Sequence, residues 1–569
     1  MRVLESVAKL PLYARTASHL RPSQVVCRLW LKLGGEVPLL RGSSDENGLD
    51  TIEASQVPCL GELDFDAPFL ERFDCDALLD DRLILLHHEE QVDWRTSWHA
   101  NLSTPLWQCN LHYFEYLLPL AHEYIRTGDA RHVDKAKRIV ASWIEHNPRK
   151  EDGWGWTSYT ISLRLVNWLA FKAELAQTEA ALEEDRAFVS AFNGSLYEQY
   201  LHLTRHLERD VLANHYLENL KAIAIGAIYF KDARALDAVL PLLKEQIEEQ
   251  VLTDGMHFEL SPMYHKVILE DILRVASFLR ADDRDWEWLI PVIQRMCDCI
   301  YSFEHGTTRT PLFNDSGDNV AKSTGSLLKC AYDRFGIKPS YRNSLPQAGY
   351  YFLEESCRAH SIKLVFDAGQ PGPSYAMGHA HCDALSFEVY VDGQPVISNL
   401  GTYAYQDENR LEYKSSEAHS TVHVKGVEQC ECWAPFRVAG YSSTRLIENG
   451  ERSFVAEMVD HAGNAIRRSI ELDGDMITVR DSSPDEGLSL VETVLVANEG
   501  GCESPVSITP KGGDFEARRC EIAPEFGMRV PGKRYSLTAG NEAEYVIRLT
   551  LDGIDRNTSD STSMPEEIE

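Results

Sequence analysis

The hydrophobic period of this chain changes once, near residue 348, and that change restricts its fold more than any other feature. From residue 102 to about 336, apolar residues recur at three- and four-residue spacing in the segments 111–126, 132–146, 162–176, 187–204, 213–230, 236–252, 262–279 and 288–303. The linkers between them are short and carry Gly, Asp or Asn, so successive helices must pack as antiparallel hairpins. Hairpins in such number stack as a solenoid or close into an (α/α) toroid. Beyond the break the period is two. Short strands are expected at 350–355, 361–367, 384–391, 396–399, 420–424, 453–459, 465–472, 476–481, 488–496 and 544–551. Asp-Gly, Asn-Gly and Pro-Gly turns separate them, the pattern of an antiparallel β-sandwich.

The expected fold is therefore α+β and multidomain, an N-terminal (α/α) toroid followed by a C-terminal antiparallel β-sandwich. A lead-in over 1–95 packs on the toroid of 96–346, the sandwich takes 347–552, and an acidic Ser/Thr-rich tail at 553–569 is expected to be disordered. The lead-in joins a basic, helix-like start to a Gly/Ser/Asp-rich passage at 42–48. A cleft between the two halves is where a ligand would sit.

Composition narrows the function. At 569 residues the chain exceeds one ordinary core, and 44% hydrophobic with 25% charged residues is the mix of a globular protein. A net charge of −32 argues against nucleic acid and against anionic membrane surfaces. No apolar run is long enough to span a bilayer, and no secretory signal is visible, so a cytoplasmic location is expected, with periplasmic association left open. Thirteen cysteines without such a signal suggest reduced thiols. Cys297-Asp298-Cys299 and Cys430-Glu431-Cys432 leave one residue between sulfurs, too few for a zinc knuckle.

Chemistry concentrates in Gly378-His379-Ala380-His381-Cys382-Asp383-Ala384-Leu385-Ser386-Phe387-Glu388-Val389. Taken as a strand, it puts His379, His381, Asp383, Leu385, Phe387 and Val389 on one face. That face starts polar and ends apolar, which predicts a strand climbing out of a core into a site. In the helical half, Asn214 and His215 are poor helix formers in the first turn of a very apolar helix, and Glu218 is spaced to orient either one. An Asn cap beside a surface His is the plainer alternative. Ser261 and Pro262 make a good helix start, placing Tyr264 in the first turn, where the positive dipole end favours a phenolate. Its plainer alternative is a packed aromatic. Two aromatic clusters, Trp107-His112-Tyr113-Phe114 and Trp154-Trp156-Tyr159-Arg164-Trp168, offer faces for sugar rings and a guanidinium for a carboxylate. Tyr405 and Arg410 are placed to join them, with Arg410 toward a substrate carboxylate.

Taken in order, several of these stretches resemble the heparinase II/III-like family of polysaccharide lyases. They are Asn110-Leu111-His112-Tyr113-Phe114-Glu115-Tyr116, Trp156-Thr157-Ser158-Tyr159, Asn214-His215, Ser261-Pro262-Met263-Tyr264-His265, Gly378-His379-Ala380-His381, Asn399-Leu400-Gly401-Thr402-Tyr403 and Ala418-His419-Ser420-Thr421-Val422. The resemblance implies a toroid joined to a sandwich, and β-elimination at a uronic acid of an acidic polysaccharide. Asn214 and His215 would neutralise the uronate carboxylate, and Tyr264 and His379 would serve as acid and base. Trp156, Tyr159, Arg164, Glu218, Tyr405 and Arg410 are the expected substrate contacts. The resemblance also implies a divalent metal, zinc or calcium, held at positions equivalent to His381, Asn399 and His419. Asn399 departs from the family's Asp, and a neutral amide is a poor zinc ligand.

Three functions compete at this point. The first is a lyase for a uronate-containing capsule, exopolysaccharide or glycosaminoglycan-like polymer, working beside bacterial polysaccharide synthesis. The second is a glycoside hydrolase on a similar toroid, with carboxylates such as Asp254, Glu259 and Asp315. The third is a non-catalytic polysaccharide-binding protein.

Overall fold

A computed structural model describes residues 9–40, 55–148, 153–176, 178, 185–318, 320–497 and 504–551. The Gly-rich passage at 42–48 and the acidic tail lie outside them. Helices of ten or more residues are α1 (Leu10–His19), α2 (Pro22–Lys32), α3 (Leu117–Thr127), α4 (Ala130–His146), α5 (Ser158–Leu175), α6 (Arg186–Leu203), α7 (Ala213–Tyr229), α8 (Ala233–Gln250), α9 (Pro262–Ala281), α10 (Ile290–Glu304) and α11 (Thr324–Phe335). Local chemistry starts them where it should. Asp129, Asp185 and Asp232 cap α4, α6 and α8 by accepting main-chain N–H bonds from Arg131, Phe188 and Ala235.

Burial sorts the helices into two layers. Every residue of α7 except His215 is buried, and α5 and α9 are nearly as enclosed. In contrast α4 and α8 bury one stripe and face water with the other. Accordingly α3, α5, α7, α9 and α11 follow one another as an inner layer, with α4, α6, α8 and α10 packed outside them. This is the toroid-type arrangement of helical hairpins, and the N-terminal ends of α7 and α9 are the ones that matter for the site.

The C-terminal half is two antiparallel sheets. The larger runs in the order Glu516–Ile522, Val530–Ala539, Leu490–Ala497, Gln394–Ser398, Phe387–Val391, His360–Asp367, Tyr350–Cys357, Ser344–Leu345, with Val422–Val424 beside Leu490–Ala497. The smaller runs Ser443–Asn449, Ser453–Val459, Ala465–Asp473, Met476–Ser482, Glu542–Leu549, Val506–Pro510. Their facing sides enclose an apolar core including Phe366, Val389, Phe454, Ile470 and Val494. Five of these strands, at 344–345, 443–449, 506–510, 516–522 and 530–539, were not expected from the sequence. The two-residue strand at 344–345 and the five-residue strand at 506–510 are too short to show a period, 443–449 and 516–522 are largely polar, and 530–539 carries Pro531-Gly532.

One local expectation is corrected. The strand near the paired histidines begins only at Phe387, whereas Met377–His379 is a 3-10 turn and 380–386 is irregular. Leu385 sits at φ 61°, and the Ser386 N–H closes a turn onto the Asp383 carbonyl at 3.0 Å. A left-handed Leu ends any continuous alternation. His379, His381 and Asp383 therefore do not share a strand face.

The later part of the lead-in packs on the toroid, as Asp64–Arg274 at 2.5 Å and Glu62–Arg334 at 2.7 Å show, but its first two helices bridge the halves. From α1, Arg15 pairs with Glu431 at 2.7 Å and His19 contacts the Ala439 carbonyl at 2.9 Å, so this helix lies on the β domain and not on the toroid. From α2, Gln24 donates to the Val211 carbonyl at 3.2 Å, on the toroid just ahead of α7.

Candidate active site

Between the halves lies a cavity of about 590 Å³ whose wall includes Asn214, His215, Tyr264, His379 and Tyr405. The toroid supplies its groups from helix starts. Asn214 is the second residue of α7, directly after Leu212 and Ala213, both at positive φ (64° and 51°). Such backbone costs on the order of 1–3 kcal/mol per residue and persists only where the surroundings over-determine it. The Asn214 N–H donates to Glu259 Oε1 at 3.3 Å, leaving its amide side chain on the cavity wall. His215 is held by Glu208 at 3.1 Å and lies under Tyr159, ring centroids 4.4 Å apart. Burial would lower its pKa, but Glu208, Glu259 and Glu218 outweigh that and raise it, favouring the imidazolium.

Tyr264 occupies the first turn of α9, as its Ser261-Pro262 start predicted. Ser261 accepts the Tyr264 N–H at 3.1 Å and donates to the Asp315 carbonyl at 2.7 Å. The phenol shares a 2.7 Å hydrogen bond with Tyr405. The expectation of a phenolate is corrected, because burial raises the phenol pKa and outweighs the Tyr405 bond. Tyr264 is a proton-bearing group in the resting site.

The β wall hangs on a single carboxylate. Asp315 takes His379 Nδ1 at 2.8 Å, His381 Nε2 at 2.8 Å, Arg410 at 2.6 Å and the Thr402 hydroxyl at 3.1 Å. Burial would raise its pKa, yet the Arg410 guanidinium and the two imidazole bonds hold it well below the carboxylate range. An ionised carboxylate only accepts, so His379 carries a proton on Nδ1 and turns Nε2 to the cavity. That nitrogen is 3.9 Å from Glu259 Oε2, and the ring packs 4.3 Å from Tyr264. Asn314, itself at φ 53°, fixes the approach of the halves. Its N–H donates to Asp383 at 2.8 Å and its side-chain oxygen accepts the His381 N–H at 2.9 Å.

Several sequence-nominated residues lie elsewhere. Arg164 is fully buried, donating to Gln199, the His112 carbonyl and the Gly155 carbonyl, so no fork remains for a ligand. Trp156 donates to the Asn147 carbonyl at 3.1 Å and packs against Trp143 within the toroid wall. Arg410 is buried beneath the site, where Asp315 consumes it. Glu218 lines the cavity but is ion-paired to Lys221, so Glu208, not Glu218, orients His215. Of the aromatic clusters, Trp107, Phe114 and Trp168 are core, while Tyr113, Trp154 and Tyr159 line the cavity.

The family's metal position has a mixed donor set. His381 Nδ1 and both His419 ring nitrogens are buried without partners, with ring centroids 5.3 Å apart. Asn399, however, spends its side-chain oxygen on the Ser420 N–H at 3.0 Å and turns only its unpartnered NH₂ to the surroundings. An amide NH₂ donates and does not ligate. Among the described residues no three His, Cys, Asp or Glu side chains converge on a cation position. These residues do not fit zinc or calcium.

Sequence reasoning missed the supports. Asp315 had been considered only as a hydrolase carboxylate, and Glu208, Arg28 and Arg437 not at all. Arg28 and Arg437 line the cavity from α2 and from the Arg437–Val438 strand, and among the described residues neither meets a carboxylate. The polar run Asn314-Asp315-Ser316-Gly317 between apolar segments was the one available signal.

Comparison with known proteins gives the family. The family model for the heparinase II/III N-terminus matches residues 77–340, and the heparinase II/III-like C-terminal model matches 337–497. The chain belongs to the heparinase II/III-like family. A heparin-sulfate lyase of Pedobacter heparinus is 23% identical over 373 residues, 58% of this chain and 54% of the relative. The FtsZ-localized protein C of Caulobacter vibrioides is 26% identical over 302 residues, 52% of this chain and 47% of its own length. The chain thus spans about half the length of the curated relatives it matches. Among solved structures, a heparinase III superposes with a TM-score of 0.64 at 16% identity, covering 92% of this chain and 91% of that one. That likeness is one of fold.

Proposed function

We propose that this family member is a polysaccharide lyase that cleaves a uronate-containing polymer by β-elimination. The observation that supports it most is the meeting of Asn214 and Tyr264, from two helix starts, with His379, from the β domain, on one cavity. The C5 proton of a uronate is weakly acidic until its carboxylate is neutralised. The Asn214 amide and the His215 imidazolium supply hydrogen bonds and positive charge to that carboxylate and to the enolate-like state that follows. His379 Nε2 takes the C5 proton, its ring oriented by the Nδ1–H bond to Asp315. The C5–H electron pair forms the C4=C5 double bond, the C4–O bond breaks, and the leaving oxygen takes the Tyr264 proton. A phenol kept protonated by burial suits that donation and ill suits the base role. Arg28 and Arg437 extend the positive surface toward further anionic groups, which reconciles an acidic polymer with a net charge of −32.

The hydrolase reading needs two carboxylates flanking the bond. Asp254 is committed to the main-chain N–H groups of Met256, Gln347 and Ala348, and Asp315 to its imidazoles and Arg410. Only Glu259 of the three nominated faces the cavity. Digestion of a panel of uronate polysaccharides, followed by the ultraviolet absorbance of the conjugated product, tests the proposal. Depolymerisation without that absorbance overturns it.

A further inference from the structure

The two N-terminal helices are amphipathic in the wrong sense for a core. In α2 the buried face is polar: Gln24 is buried and Arg28 donates to the Asp210 carbonyl at 2.9 Å. The apolar stripe Val25, Val26, Leu29, Trp30 and Leu33 points to solvent, with Leu29 59%, Trp30 55% and Leu33 82% exposed. The spacing i, i+1, i+4, i+5, i+8 makes these one continuous face. In α1, Leu10 and Tyr13 are exposed as well, so half of the large exposed apolar side chains among the described residues fall within 10–33. A surface of this kind marks an interaction site.

Charge selects the occupant. Residues 9–33 hold Lys9, Arg15, Arg21, Arg28 and Lys32 and no acidic residue, in a chain of net charge −32. Arg28 turns inward, Arg15 and Arg21 pair with Glu431 and Glu249 while staying partly exposed, and Lys9 and Lys32 face solvent. A short helix with a Trp/Leu/Val face beside basic side chains has the composition of one that lies in a membrane interface, where the ring enters the headgroup boundary and the cations meet anionic lipid. A second copy is a poorer occupant, because the same basic face would be opposed to itself. None of the described helices is long and apolar enough to cross a membrane, so the contact is peripheral.

We infer that α1 and α2 dock this protein on an anionic lipid surface through Leu10, Tyr13, Val26, Leu29, Trp30 and Leu33. Thr16, His19, Leu20 and Arg28, on the inner side of the same helices, line the cavity. Docking therefore holds the site within about one helix diameter, roughly 10 Å, of the headgroups. The net-charge argument against anionic membranes does not reach this segment, because docking follows local charge and exposed apolar area.

The test is co-sedimentation of the full chain with vesicles of phosphatidylglycerol and phosphatidylcholine, and with phosphatidylcholine alone. The expected result is binding to the anionic vesicles that weakens at least tenfold on raising salt, on omitting phosphatidylglycerol, or in the double variant L29E/W30E. Light scattering and thermal melting confirm that this variant keeps its size and stability, as its exposed positions predict. Native protein that stays in the supernatant with both vesicle types overturns the inference. So does a native dimer that L29E/W30E converts to monomer, which would assign the face to a second copy.

Discussion

The two walls of the cleft position their groups by different means. The toroid wall is rigid and local: Asn214 and Tyr264 sit in the first turns of α7 and α9, set by Leu212 and Ala213 at positive φ and by the Ser261 cap. The β wall is built from separate segments outside the sheet: the two imidazoles from the 3-10 turn Met377–His379 and the residues after it, Thr402 from a loop, and Arg410 from the short helix Arg410–Tyr413 all converge on Asp315. Asp315 itself belongs to the segment between α10 and α11, so the toroid dictates the geometry of the β wall as well. Side chains on the first wall can be lost singly, whereas loss of Asp315 should disorder several groups together.

Four substitutions in the site sharpen that contrast. His379→Ala and Tyr264→Phe should each lower kcat by about 10³–10⁴ while leaving Tm nearly unchanged, measured by initial rates and thermal melting. Asp315→Asn should lower kcat by about 10³ and, unlike the first two, lower Tm, since it leaves Arg410 buried without its counter-ion. A rate loss with unaltered Tm would break the claim that this carboxylate organises the wall. Asn214→Ala should cost about 10² in kcat with a smaller change in KM, because its amide is asked to stabilise developing charge.

Acid should find buried imidazoles on both sides. Burial pushes His112 down to about 3, and His265 and His381 down to about 4. Each is neutral when folded but takes a proton when unfolded below its ordinary value of 6.5. Their contribution to stability is therefore full above pH 6.5 and is lost as pH falls toward 4, at about 2 kcal/mol per group by pH 5. Melts at pH 7 and pH 5 check this, and equal Tm values would contradict it. The smallest effect belongs to Arg437→Ala, expected to raise KM for an acidic polymer by roughly tenfold, with Tm unchanged.

The period change made both domains legible before any coordinates, because helix and strand spacing follow from burying one face. His379 stood out because paired imidazoles are not what a core would choose, whereas Asn214 and Tyr264 had plainer readings as a cap and a packed aromatic and were singled out by the ordered family resemblance. Arg164 and Arg410 were misjudged for a shared reason: a buried guanidinium satisfying main-chain carbonyls or a carboxylate looks, in sequence, like one awaiting a ligand. The strand wrongly extended back to residue 378 failed at Leu385, whose left-handed backbone no alternation rule anticipates. Asp315 and Glu208 depend on contacts across 64 and 7 residues, and spacing carries no trace of the longer one.

The account rests on elimination within the shared cavity, and cleavage in heavy-oxygen water reads it directly. Mass spectrometry of the products should show no heavy oxygen at the new reducing end and an unsaturated sugar at the new non-reducing end, with both products absent for His379→Ala. Heavy oxygen incorporated at the cleaved bond would mean hydrolysis and would contradict the roles given to Asn214, Tyr264 and His379.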